Sequence, residues 1–110
     1  MGSPAAGQLV LIPFPFSDLT RSKFRPALLL ASAGRSDWIA CQITSNPYGD
    51  PLAIQLTEDE FAEGGLRRVS YVRPGKLFTA HESLIASRQG ALTPSQLERI
   101  RDAVVTIIRE

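Results

Sequence analysis

Positive side chains concentrate in two short segments of this sequence, and neither segment contains an acidic residue. The first segment carries Arg21, Lys23 and Arg25 immediately before an apolar run that begins at Pro26. The second segment, residues 67–76, reads RRVSYVRPGK. A local patch of cations can hold phosphate groups even when the charges of the whole chain nearly cancel. The two patches therefore indicate a phosphate-bearing ligand, with ordinary charged surface loops as the alternative.

The composition limits which kinds of protein could carry these patches. The chain has 110 residues, of which 44% are hydrophobic and 21% charged, which is typical of one globular domain. Its net charge of +1 does not by itself indicate a nucleic-acid-binding protein. Cys41 is the only cysteine, so an internal disulfide is excluded and metal-ligand spacing is absent. With no membrane-length apolar run and no signal-peptide pattern, we expect a cytoplasmic protein without metal or cofactor.

Several short strands are predicted in the first two thirds of the chain. The predicted strands are Leu9–Ile12, Ala27–Ala31, Trp38–Thr44, Leu52–Leu56, Val69–Val72 and Lys76–Phe78. Alternating apolar and polar residues are clearest in the third of these strands and predict that Cys41 is a small buried side chain. Pro13 and Pro15 should end the first strand or leave it at a sheet edge, because proline cannot donate to a ladder. Ser17–Phe24 is predicted as a loop and Leu84–Arg88 as loop or strand. A single helical turn is also predicted, with Thr57 as its N-cap and with Gly64 and Gly65 ending it.

The C-terminal segment has the strongest helical signal. Thr93 is the predicted N-cap, with Pro94 at the first helical position and Gln96 at the third, which is the pattern of a capping box. The apolar residues then recur at three- and four-residue steps: Leu97, Ile100, Val104, Ile107 and Ile108. We therefore expect a mainly β fold, a small SH3-like barrel of short strands plus this amphipathic helix. A single domain should span residues 7–110, after a disordered segment or cloning remnant at residues 1–6.

Four segments of the sequence, taken in order, resemble the MazF/PemK-like toxins of bacterial toxin–antitoxin pairs. The segments are LVLIPFPFSD, FRPALLL, CQITS and SYVRPGKLFT. The resemblance runs from about Gly7 to the C-terminal helix. It implies a homodimer of SH3-like barrels that cleaves single-stranded RNA, often mRNA, at a short preferred sequence without a metal ion. It also implies a cognate antitoxin whose flexible segment lies over the active site.

The resemblance assigns catalytic roles to two residues. The arginine of the family's Arg-Pro motif corresponds to Arg25, and the threonine that closes its third strand corresponds to Thr44. The expected reaction is attack of the substrate's own 2′-OH on the adjacent phosphate. A guanidinium suits the charge that develops on phosphorus, because it is always ionised and offers a planar fork of donors. The threonine hydroxyl can donate to a phosphate oxygen or orient the arginine.

The groups that would move protons are left open at this point. PemK-like members place an acid two residues after an arginine that corresponds to Arg73, but this chain has Gly75 there. The glutamate that often precedes the family's Arg-Pro motif is also absent, and Asp18 or Thr20 stands nearest. His81 is a third candidate, because an imidazole exchanges protons near neutral pH.

Further side chains are predicted to contact RNA through phosphates or unpaired bases. They are Lys23, Phe24, Gln42, Ser45, Arg67, Arg68, Arg73 and Lys76. Two other functions remain open. A CcdB-like toxin has the same barrel and poisons DNA gyrase, but it relies on a Trp-Gly-Ile C-terminus, whereas this chain ends TIIRE. A non-catalytic SH3-like module would use the basic patches to bind acidic partners.

Overall fold

A single curled sheet and one long helix account for most of the chain in this computed structural model, which describes residues 3–15, 22–47, 49–66 and 68–110. The strands are β1 (Gln8–Pro15), β2 (Ser22–Gly34), β3 (Asp37–Thr44), β4 (Ile54–Leu56), β5 (Phe61–Gly64), β6 (Ser70–His81) and β7 (Ser87–Leu92), and the helix is α1 (Pro94–Arg109). The strand pairs are antiparallel, in the order β4-β6-β3-β2-β1-β7-β5. Two short 3₁₀ turns, Glu58–Glu60 and Glu82–Leu84, complete the elements. The predicted mainly β fold with a C-terminal helix is confirmed.

The two faces of the sheet carry separate apolar clusters, because successive side chains of a strand point to opposite faces. On one face Leu28 and Cys41 pack in a core that is closed by Ile100 and its neighbours on α1. On the other face Leu29 and Ala40 belong to a second buried cluster. None of the described helices combines the length and apolar character needed to cross a membrane.

The first two strands are longer than the sequence pattern predicts. β1 continues through Pro13 and Pro15, and β2 begins at Ser22, so the predicted loop was wrong for its last three residues. The prolines are tolerated because β1 pairs with β7 only as far as Leu11, which leaves the rest of β1 paired on one side alone. The alternative in which the prolines lie on an edge is therefore confirmed.

The region after Thr57 also differs from its prediction. The expected helical turn is present as the 3₁₀ turn Glu58–Glu60, but it is followed at once by β5, which the sequence did not predict. The two expected strand fragments around Pro74 form one strand, β6, and the Pro-Gly pair lies in a bulge of that strand.

At the N-terminus, Ala6 packs against the core cluster to which α1 contributes.

Helix α1 begins where the capping pattern predicts, but only half of the capping box forms. The Thr93 hydroxyl accepts a hydrogen bond from the Gln96 N–H at 3.3 Å. The Thr93 N–H donates to the carbonyl of Glu60 at 2.9 Å, so it does not need the Gln96 side chain. Gln96 instead accepts a hydrogen bond from Arg99 at 3.4 Å.

The cap leads to a testable stability prediction. Thr93→Ala should lower the free energy of unfolding by about 1 kcal/mol, because one helical N–H loses its acceptor. Urea denaturation would measure this change. Thr106→Ala removes the same atoms from an exposed position within α1 and should not destabilise, since alanine favours helix interiors. An equal loss in both variants would contradict a capping role for Thr93.

Candidate active site

An open cleft of about 410 Å³ lies at the rim of the sheet, where β2 begins, β3 ends and β6 begins. Six of the residues selected from the sequence line it: Lys23, Phe24, Arg25, Thr44, Ser45 and Arg68. The other contributors include Leu66, Ser70 and Gln89, which have no catalytic signature in the sequence. Leu66 and Ser70 flank Arg68 along the chain, whereas Gln89 comes from β7, which is not adjacent to β6 in the sheet.

Arg25 and Thr44 are neighbours because of the register between β2 and β3. The two strands pair Ala27 with Gln42 and Leu28 with Cys41. Arg25 precedes this paired stretch of β2 by two residues and Thr44 follows that of β3 by two residues, so both lie at the same end of the β2–β3 ladder, and both line the cleft. Arg25 is half-buried, and its β1 partner is Ile12, so the β1–β2 ladder positions its backbone at the rim.

The Thr44 hydroxyl is held by the turn that follows β3. Its oxygen accepts a hydrogen bond from the Asn46 N–H at 3.1 Å and donates to the Asn46 carbonyl at 3.2 Å. This local turn is typical of threonine at a strand end. It fixes the position of the hydroxyl oxygen while the hydrogen can rotate toward another acceptor.

Among the described residues, all the charged side chains that line the cleft are positive. Lys23, Arg25 and Arg68 contribute to its lining, and no Asp or Glu does so among the described residues. A cleft lined by one sign of charge concentrates the opposite charge, so this one favours an anionic ligand. Phe24 lies on the same rim with 58% of its surface exposed, which leaves its ring accessible for stacking. Cations and an exposed ring together suit a flexible, phosphate-bearing ligand.

Arg73 and Gln42 form a network beside the cleft instead of lining it. Arg73 donates to Gln42 Oε1 at 3.0 Å and to the Asp50 carboxylate at 2.7 Å. The hydrogen bond from Arg73 holds the pKa of Asp50 below its usual value; burial is the next largest effect and opposes it, while the Leu52 N–H and the charge of Arg73 lower the pKa further. The network ties the loop after Thr44 back to β6. Asp50 is a residue that the sequence analysis missed, since only turn chemistry marks its position.

The lowered pKa of Asp50 predicts a pH-dependent contribution to stability. A carboxylate whose pKa is lower when folded stabilises the protein above the unfolded-state pKa, and the contribution disappears as pH falls through the folded-state value. Asp50→Asn should therefore reduce the free energy of unfolding more at pH 7 than near pH 3, measured by urea denaturation at both pH values. Asp102→Asn, on the exposed face of α1, is the matched control and should show no such difference. A pH-independent cost for Asp50→Asn would contradict the ion pair.

Two selected residues lie away from the cleft. His81 ends β6 opposite Asp37, seven residue steps along β3 from Thr44, which corresponds to roughly 23 Å. Its Nδ1 accepts a hydrogen bond from the Ser83 N–H at 3.1 Å and so caps a 3₁₀ turn. Lys76 is exposed on the β6 bulge and lines a different, mainly apolar cavity. The structure does not bring either residue to Arg25.

Three further selected residues, Asp18, Thr20 and Arg67, lie outside the described residues. Within the described part of the chain, no group of three or more His, Cys, Asp or Glu side chains could hold a metal ion. Cys41 is fully buried, as predicted, and burial raises the pKa of its thiol to about 12. A thiolate nucleophile at Cys41 is therefore not available near neutral pH.

Comparisons with known proteins identify the family and relatives of the same fold. The family model described as "PemK-like, MazF-like toxin of type II toxin-antitoxin system" matches residues 5–108. Among solved structures, MazF from Deinococcus radiodurans is 25% identical with a TM-score of 0.71, and the match covers 100% of both chains. A MazE–MazF structure from the same organism is 24% identical with a TM-score of 0.76, covering 98% of this chain and 97% of the other. A mycobacterial endoribonuclease in complex with its cognate antitoxin is 18% identical with a TM-score of 0.73, covering 96% and 94%. None of the curated proteins compared with the chain matches it.

Proposed function

Because the chain belongs to the PemK-like and MazF-like toxins of type II toxin–antitoxin systems, we propose that it is a toxin that cleaves single-stranded RNA, chiefly mRNA, at short preferred sequences. The observation that carries this proposal is that Arg25 and Thr44 line the same cleft, together with further cations and with no described carboxylate. A cleft of this character fits an anionic polymer and accommodates charge that builds up on phosphorus.

The proposed reaction uses the 2′-OH of the substrate as nucleophile. Its oxygen forms a bond to the adjacent phosphorus while the bond from phosphorus to the 5′-oxygen breaks. The 2′ proton passes to a base, and the leaving 5′-oxygen receives a proton, so the products carry a 2′,3′-cyclic phosphate and a 5′-OH. No metal ion or cofactor enters this scheme.

We assign the charge-stabilising role to Arg25 and a supporting donor role to Thr44. The guanidinium can hold two phosphate oxygens at once, and this arrangement gains strength as negative charge grows in the transition state. We assign the proton transfers to Asp18 or Thr20, which precede β2 along the chain. His81 is left out of the proposal because of its distance from Thr44 and its capping role.

The remaining polar residues are proposed to hold the RNA strand. Lys23, Ser45 and Arg68 line the cleft directly, and Phe24 offers a ring on which an unpaired base can stack. Gln42 and Arg73 support the adjoining loop. Arg67 follows Leu66, a cleft residue, and is proposed as a further phosphate contact. Lys76 has the least support as an RNA contact, because it lies on the β6 bulge and outside the cleft lining.

The family also supports a proposal about partners. MazE–MazF structures and an endoribonuclease bound to its cognate antitoxin are among the structural relatives. We propose that this chain likewise has a cognate antitoxin, whose flexible segment occupies the cleft, and that the chain acts as a homodimer. Cleavage of mRNA places its site of action in the cytoplasm.

The proposal is tested by incubating the purified protein with a long single-stranded RNA in excess EDTA. The 5′ ends of the fragments are then mapped, and the new 3′ ends are examined for a 2′,3′-cyclic phosphate. Discrete cuts with that terminus are expected. Intact RNA in the presence of folded protein would overturn the proposal, and a DNA gyrase inhibition assay would then test the CcdB-like alternative.

A further inference from the structure

A second cavity, of about 510 Å³, adjoins the proposed catalytic cleft. The two share Leu66, Arg68 and Ser70 as a common wall. The second cavity lies in the seam where the curled sheet does not close, because β4 and β5 are the two edge strands and both contribute to its lining. Its volume is within the usual range for sites that hold small organic groups. A group attached to a ligand in the cleft could therefore enter this cavity.

The cavity carries charges of both signs. Arg68 belongs to the wall shared with the cleft, is exposed and makes no ion pair with any described residue. Glu58 lines the cavity but not the cleft, and Asp59 and Glu60 follow it directly in the 3₁₀ turn. A phosphate is attracted to Arg68 and repelled by the carboxylates. A nucleotide would therefore keep its phosphate beside Arg68 and turn its neutral base into the cavity.

The lining of the cavity suits a base in both shape and polarity. Leu66, Phe61 and the 59% exposed Val69 offer apolar surface to the face of a ring. Glu58 offers a carboxylate that makes no hydrogen bond among the described residues, whereas Glu60 accepts from Thr57 and Arg99. A carboxylate accepts hydrogen bonds from amino groups on a base edge, such as N4 of cytosine or N6 of adenine, and is repelled by a carbonyl oxygen.

We propose that this cavity binds the unpaired base next to the scissile phosphate, and that Glu58 selects a base with an exocyclic amino group over uracil. The inference rests on the proposed RNA cleavage and adds a specificity-determining residue to it. Arg68 acts at the junction by holding the phosphate between the catalytic cleft and the base cavity.

The test uses short RNA oligonucleotides in which the nucleotide on each side of the cleavage position is varied in turn. Wild-type protein should cleave oligonucleotides with an amino-bearing base at one flanking position about tenfold faster than those with uracil. A rate ratio of this size corresponds to the stabilisation that one hydrogen bond to a charged group provides. Glu58→Gln should lose most of this preference, because a carboxamide can also donate to the O4 of uracil. Glu63→Gln removes the same charge from nearby β5 without altering the cavity lining, and should retain the preference.

Binding of the same oligonucleotides with 2′-deoxyribose at the cleavage position separates this inference from the proposed function. Cleavage by the wild type with an unchanged preference in Glu58→Gln would overturn the inference alone, as would a wild type without any flanking preference. Base-selective binding that depends on Glu58, without cleavage of any RNA, would support the base cavity and overturn the proposed reaction. A protein that neither binds nor cleaves would overturn both.

Discussion

Arg25→Ala is expected to reduce RNA cleavage by at least about a hundredfold while leaving the protein folded. Loss of one preorganised donor to a charged transition state typically costs a factor of about 10² to 10³ in kcat. The fold should survive, because Arg25 lies at the rim and the cores on both faces of the sheet are built from other side chains. Single-turnover cleavage rates, with circular dichroism and thermal melting of both proteins, would measure the two effects separately.

Two further variants test whether the effect belongs to the guanidinium of Arg25 and not to positive charge in general. Arg25→Lys keeps the charge but loses the planar donor fork, so its rate should fall between those of the wild type and Arg25→Ala. Arg109→Ala removes a positive charge from the end of α1, outside the cleft lining, and should cleave at the wild-type rate. Cleavage at the wild-type rate by folded Arg25→Ala would contradict the assignment of the active site.

The elements that the sequence predicted well are those whose signal is local. The apolar stripe and the Thr93 cap place α1 correctly, and the alternation from Trp38 to Thr44 corresponds to β3 within one residue. Both patterns arise from the geometry of a single helix or strand and need no knowledge of its partners. The family resemblance, carried by four segments, is confirmed by the match over residues 5–108.

β5 was missed because its existence depends on a partner. It has little alternation, and it pairs with β7, whose Gly90 lies opposite Gly64. A Cβ at Gly64 would collide with the carbonyl of Gln89, and Gly64 has a φ of +63°, which favours glycine. The sequence pattern predicts Gly64 as a helix stop, but its role is to let two strand backbones approach. Such a requirement is not visible until the pairing is known.

The candidate site shows the same division between local and non-local signals. The sequence pattern predicts Arg25 and Thr44 next to strand ends, and the β2–β3 pairing puts both at the same end of the ladder, where they line one cleft. The partner of Arg73 could not be predicted, because Asp50 lies 23 positions away along the chain and reaches it only through the loop after Thr44. The position of His81 at the far end of β6 likewise depends on the long, bulged pairing with β3.

Thr44 provides the second large expected effect, and the prediction concerns rate more than affinity. In the free protein the Asn46 N–H holds the hydroxyl oxygen, while the hydroxyl hydrogen points to the Asn46 carbonyl. When a phosphate oxygen acquires charge, the hydrogen can rotate to it without displacing the oxygen. The contact would thus be strongest in the transition state, which is the condition for a contribution to kcat.

Thr44→Ala and the isosteric Thr44→Val should therefore lower the cleavage rate by about 10- to 100-fold, while the Kd for a 2′-deoxy substrate analogue changes only about twofold. Thr44→Ser retains the hydroxyl and should stay within a few-fold of the wild-type rate. Rates from single-turnover cleavage and Kd values from fluorescence anisotropy supply the comparison. If the Kd rises as much as the rate falls, Thr44 contacts the bound substrate equally in the ground state, and the catalytic contribution belongs to Arg25 and the proton-transfer groups alone.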